Sequence, residues 1–155
     1  MPKRQQAASR TQGTTVPGRA SSQALTVDDA FIALFIAAMN ANDHVSAAEG
    51  ARAHHLIWSM KRFRRKSGET VGRGISRMKQ LVEARGSAEV IAAAARAIPR
   101  LLRLSAFALT TDLLLADGTI ERAERRFLDR LRAELHLSDG DGEHVVEVIL
   151  IKNQA

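Results

Sequence analysis

The residues of this 155-residue chain best suited to chemistry are carboxylates gathered around one turn, Asp117-Gly118-Thr119-Ile120-Glu121-Arg122-Ala123-Glu124. Seventy-five positions earlier stands a partial echo, Asn42-Asp43-His44-Val45-Ser46-Ala47-Ala48-Glu49, which pairs Asn42 with Asp117, Val45 with Ile120 and Glu49 with Glu124. Carboxylate and amide oxygens are hard ligands, so the chemistry such a set can offer is coordination of Ca²⁺ or Mg²⁺ rather than of a soft metal. The ligand candidates are Asp117 and Glu124 first, with Asp112, Glu121, Asn42, Asp43 and Glu49 around them. The competing structural reading is that Asp117-Gly118 makes a tight turn and Glu124 closes a helix cap.

Asp-Gly-x-Ile-x-x-x-Glu also matches the second half of an EF-hand loop, but the earlier ligand positions would fall on Leu113 and Leu115, which cannot bind a hard cation. Asp139-Gly140-Asp141-Gly142 fails the same test, because its closing glutamate would fall on Leu150. Those four residues are expected to form a turn and an N-cap. Asp112 lies inside an apolar run, where an unpaired charge is costly, so it must face the acidic cluster or find an arginine on another helix.

Other constellations carry less. The run Lys61-Arg62-Phe63-Arg64-Arg65-Lys66 could meet nucleic acid, an anionic membrane surface or an acidic protein, but no helix-turn-helix signature or aromatic platform accompanies it. A cationic helix end favoured by the helix dipole accounts for it equally. His54 and His55 are adjacent and point about 100° apart, so they cannot clamp one ion. No nucleophile elbow, phosphate loop or His-Glu-x-x-His is present, and Gly72-Arg73-Gly74 lacks a third glycine and a preceding strand. A non-enzymatic protein is expected. Without cysteine, thiolate catalysis and Cys-based metal sites are excluded.

Positioning these residues falls to helices. Aromatic content is 4% and hydrophobic content 45%, with alanine and leucine abundant, a composition suited to closely packed helices in one domain. Thr26 caps a first helix whose centre, residues 31–39, is apolar on every side and so belongs in a core. Ser46 and Glu49 form a capping box for a second helix through Leu56, Ile57, Trp58, Met60 and Phe63, which ends in the basic run. A third helix begins near Thr70, and an Ala-rich fourth spans residues 88–98. After Pro99 a fifth helix to Ala116 repeats the all-round apolarity of the first, and a sixth follows the Asp117 turn. The last segment, with Val145, Val146, Val148 and Ile149, is β-branched enough for a strand, but with no partner strand it is assigned as helix. The expectation is an all-α, multihelical single domain of about seven helices, two pseudo-symmetric repeats around two central apolar helices, over residues 25–155. Residues 1–24 carry +4 and almost nothing to bury, which predicts a disordered basic tail.

Charge is uneven: residues 25–51 and 104–155 each carry −4, and residues 52–103 carry +10. No signal peptide or bilayer-length apolar run occurs, so a cytoplasmic protein is expected.

The duplicated pattern resembles the tellurite resistance protein TerB family. The residues that carry it are Ala116-Asp117-Gly118-Thr119-Ile120 with Glu124, Phe127, Leu128 and Leu131, then Leu135-His136-Leu137-Ser138. In the first copy they are Ala41 through Ser46 with Glu49, and there Asn42-Asp43 stands where the family has Asp-Gly. The resemblance covers roughly residues 25–153. It implies a TerB-like domain whose acids are proposed to bind a divalent cation, a role in tellurite resistance and wider stress responses as a binding or adaptor protein, and protein partners in a membrane-associated complex. No catalytic activity comes with it.

Overall fold

The computed structural model describes residues 24–41 and 45–154. Seven α-helices are α1 (Val27–Met39), α2 (Ala47–Ser59), α3 (Gly68–Arg85), α4 (Ser87–Ala97), α5 (Arg103–Leu114), α6 (Arg122–Glu134) and α7 (Asp139–Lys152), with short 3₁₀ turns on both sides of α5. Among the described residues there is no strand, and the β-branched last segment is a helix as expected. The expected tail lies, apart from Ala24, outside the described residues.

α1 and α5 are the two central helices. Every residue of α1 from Asp29 to Ala38 is buried, because α3 and α4 pack heavily on it while α5 and α2 take its remaining sides. α5 is surrounded by α1, α2, α6 and α7. Its Thr110 and Thr111 are fully buried without cost, since their hydroxyls donate to the carbonyls of Ala106 (2.8 Å) and Phe107 (2.9 Å) one turn back. The internal duplication is thus structural: α1–α2 and α5–α6 are equivalent pairs, and α2 and α6 begin seventy-five positions apart.

One boundary differs from expectation. α2 stops at Ser59, and Met60 turns extended with ψ 132°, so the basic run is not a helix end. It forms two successive turns, with the Phe63 amide bonded to Met60 O and the Lys66 amide to Phe63 O. Phe63 is 1% exposed and plugs the core, and this pulls the chain out of helical register. Arg62 and Lys66 each reach Asp28 in the first turn of α1 at 2.7 Å. The run therefore binds its own domain's acids with two of its five cations rather than answering a helix dipole.

Candidate functional site

The acidic site forms where the N-termini of α2 and α6 meet the end of α5. Each of those helices starts the same way. The Ser46 amide donates to Glu49 Oε2 at 2.8 Å, and the Glu121 amide donates to Glu124 Oε2 at 2.7 Å. These positions are equivalent in the two repeats, so the capping glutamate is a duplicated device. In the first copy the reciprocal bond is also made, from the Glu49 amide to Ser46 Oγ at 3.0 Å. The sequence showed the full box at Ser46, while at α6 it showed only a helix start at Glu121 with Glu124 closing a cap; the spacing Glu121-x-x-Glu124 carried the signal for the rest.

Both glutamates are enclosed, Glu49 at 3% and Glu124 at 5% exposure. Glu49 spends one oxygen on its cap and leaves Oε1 buried without a hydrogen-bond partner among the described residues. Glu124 lies within electrostatic reach of Glu49, Glu121 and Asp117. Burial pushes its carboxyl above the usual range; the Glu121 amide pulls the other way, and the three neighbouring carboxylates add to the rise. Glu49 of the first repeat and Asp117 and Glu121 of the second thus act on Glu124 through their charge.

The turn that delivers Asp117 is a 3₁₀ turn, Leu115–Asp117, closed by Gly118 at φ +77°, ψ 0°. Only glycine takes that left-handed conformation without strain, and its amide returns to Leu115 O at 3.0 Å. Thr119 and Ile120 then lead to α6, with Ile120 half-buried against the core.

Asp112 belongs to a different arrangement. It accepts from Lys152 Nζ at 2.6 Å, and Arg52 stands 4.0 Å from its other oxygen. Its buried charge is thereby paired by cations from α7 and α2. Asn153 adds a bond from Nδ2 to Leu115 O at 3.0 Å, so the end of α7 clamps the segment just before the turn. Arg52, Lys152 and Asn153 with Ala116, Asp117 and Gly118 line a cleft of about 390 Å³. An arginine from another helix beside Asp112 was one of the two placements expected from the sequence, and Arg52 of α2 stands there, whereas Lys152 and Asn153 were missed because their approach is set by tertiary packing alone.

Asn42 and Asp43 lie outside the described residues. Among the described residues, no three His, Asp or Glu side chains are drawn together closely enough to hold a metal by themselves. Carboxylate oxygens are hard donors, and Glu49 Oε1 is buried, has no hydrogen-bond partner among the described residues and lies within electrostatic reach of Glu124.

His54 and His55 lie on α2. Trp58 Nε1 donates to His54 Nε2 at 3.1 Å on the outside of α2, and His55 is exposed.

A family model described as "Tellurite resistance protein TerB" matches residues 28–145. A comparison with curated proteins and a comparison with solved structures each gave no match. No helix among the described residues is long and apolar enough to cross a membrane. The match runs from the first turn of α1 into α7 and takes in both central helices, both capping glutamates and the Asp117 turn, and on that extent the chain belongs to the TerB family.

Proposed function

We propose that this chain is a non-catalytic binding or adaptor module of the tellurite and stress response, and that its acidic junction holds a divalent cation, Ca²⁺ or Mg²⁺. The observation carrying this reading is the buried, unpartnered Glu49 Oε1 beside Glu124, whose own proton affinity is raised by burial and by its acidic neighbours. Crowded carboxylates cost stability when ionised, and a hard cation among them turns that cost into binding energy. Glu49, Asp117, Glu121 and Glu124 would supply the oxygens, with Asn42 and Asp43 as the first copy's contribution. Asp112, engaged by Lys152 and Arg52, would support the turn from behind.

Calorimetric titration and melting curves with Ca²⁺ and Mg²⁺ test this. Cation should raise the melting temperature, and Asp117→Ala should remove the effect while the cation-free protein still melts cooperatively. No heat and no shift at millimolar ion would end the proposal.

A second reading rests on a separate observation. Lys61, Arg64, Arg65 and Lys79 are exposed and form no ion pair among the described residues, whereas Arg62, Lys66, Arg73 and Arg77 are engaged by Asp28, Glu69 and Asp29. Free cations of this kind favour an anionic partner, whether nucleic acid, an anionic membrane surface or an acidic protein. Binding that collapses with added salt would support it.

A further inference from the structure

The two repeats match except for one helix. α7 follows α6 as α3 follows α2, but α4 has no counterpart among the described residues. α4 lies on α1 and also touches α3 and α6, so the equivalent place in the second repeat lies on α5, between α7 and α2. That place is open. The helices around α5 leave one side of its first turns bare: Leu104 is 45% exposed, Ser105 is exposed, and Ala108 and Leu109 are half-buried. Their counterparts at the offset of seventy-five, Asp29, Ala30, Ala33 and Leu34, are all buried. Leu101, in the 3₁₀ turn that leads into α5, is 94% exposed. Asp112, one turn beyond Ala108, closes the strip. Lys152 of α7 holds one of its oxygens and Arg52 of α2 stands by the other, which puts those two helices on either flank. Of the large apolar side chains exposed among the described residues, all but Val45 lie on α5, the turn before it or α7, namely Leu101, Leu104, Val148 and Ile151.

We infer that this strip of α5 is a docking site for an alanine-faced helix of a partner protein, seated as α4 is seated on α1. α4 shows what such a face must look like. Its buried side is Val90, Ile91, Ala94, Ala95 and Ile98, with alanines in the middle that let two helix axes come close and larger side chains at the ends. The lengths agree, because the step from Val90 to Ile98 equals that from Leu104 to Asp112, about 12 Å at 1.5 Å per residue. Direction follows as well. Ala93, Arg96 and Ala97, toward the end of α4, line one cavity with Leu25 and Asp29 at the start of α1, so α4 runs antiparallel to α1. A helix docked in the same sense would end beside Leu101 and Arg100. Arg100 is exposed and forms no ion pair among the described residues, which sets a cation where the last carbonyls of the docked helix would lie. The chain's own first 23 residues do not carry such a face, with Met1 and Val16 as their only large apolar side chains. This inference rests on the reading of the domain as a binding module and is independent of the cation.

The probe is a fluorescein-labelled peptide of residues 87–98, held helical by a staple between Glu89 and Ala93, which lie outside the buried face. Fluorescence anisotropy reads its binding to the full chain. The peptide should bind saturably at one site, and its Ile91→Asp version should bind about tenfold or more weaker. In the protein, Leu101→Asp exchanges one solvated side chain for another, so it should keep the melting temperature and weaken the peptide about tenfold. Ala108→Arg should block the strip and abolish binding, with circular dichroism to show that the variant is folded. Arg100→Glu should weaken the peptide about threefold. No binding, or equal binding of the Ile91→Asp peptide, would overturn the inference. Binding undiminished by Leu101→Asp and Ala108→Arg would also overturn it, by placing the peptide elsewhere, the berth of α4 on α1 included. So would sedimentation showing that the protein alone self-associates and that Leu101→Asp abolishes this, which would give the strip to a second copy. Calorimetry with Ca²⁺ on the same sample keeps failure of the strip distinct from failure of the cation site.

Discussion

Glu124 carries a conflict that a single substitution can expose. Burial raises its carboxyl, so the folded state binds that proton more readily than the unfolded chain does. The stability this contributes is complete below the ordinary glutamate range and is lost as pH rises through the raised folded value. At neutral pH the ionised group is therefore a cost. Glu124→Gln keeps an oxygen for the Glu121 amide and removes the charge. The variant should melt higher than the parent at pH 7 without cation, should converge on it in acid, and should lose cation stabilisation. A lower melting point at pH 7 would show that the ionised carboxylate is structurally required. The ligand candidates themselves were legible from residue type and spacing. What spacing could not tell was the allegiance of Asp112, because Lys152 approaches it from forty positions away. The unpartnered oxygen of Glu49 was likewise invisible, since orphanhood depends on what fails to arrive.

At the scale of elements, the acids at the start of α1 act as a fastening point rather than only as partners of the helix dipole. Asp28 accepts from Arg62 and Lys66, and Asp29 pairs with Arg77 on α3. Partial burial raises the Asp28 carboxyl, but hydrogen bonds and charge from Lys66 and Arg62 outweigh it and leave it below the usual 3.8. The lowered value means that its contribution is present above the ordinary aspartate range and disappears as pH falls through the folded value. Asp28→Asn should cost about 1 kcal/mol at neutral pH. Melting curves should show the gap between variant and parent closing below pH 4; a gap that persists in acid would assign the loss to packing. Helix positions were readable here because caps and periodicity are local: Thr26, Ser46 and Ser138 each accept from the amide three residues on. The end of α2 was misread because an aromatic side chain at 63 prefers the core to helical continuity, and only the assembled core reveals that preference.

For the molecule as a whole, the repeats are interlocked rather than strung together. α4, which follows the first repeat, packs chiefly on α1 and also touches α6 of the second. A chain divided at Gly86, where φ is +79° and the backbone is exposed, should therefore yield two fragments that are largely unfolded alone. Mixed, they should regain helical circular dichroism and a cooperative melt. A first fragment that melts cooperatively alone would contradict this account. The all-α class and the duplication were legible before any coordinates, since two apolar runs and two turns recur at one offset.

The meeting of Glu49 and Glu124 also bears on how the halves can diverge. Glu49 adds to the cost of ionising Glu124, so a change that removes charge from the first copy relaxes the burden on the second. Drift in the two turns is therefore coupled: charge lost from the first copy lightens the electrostatic load that the second must carry. The copies already differ in charge at the head of the turn, with Asn at 42 and Asp at 117.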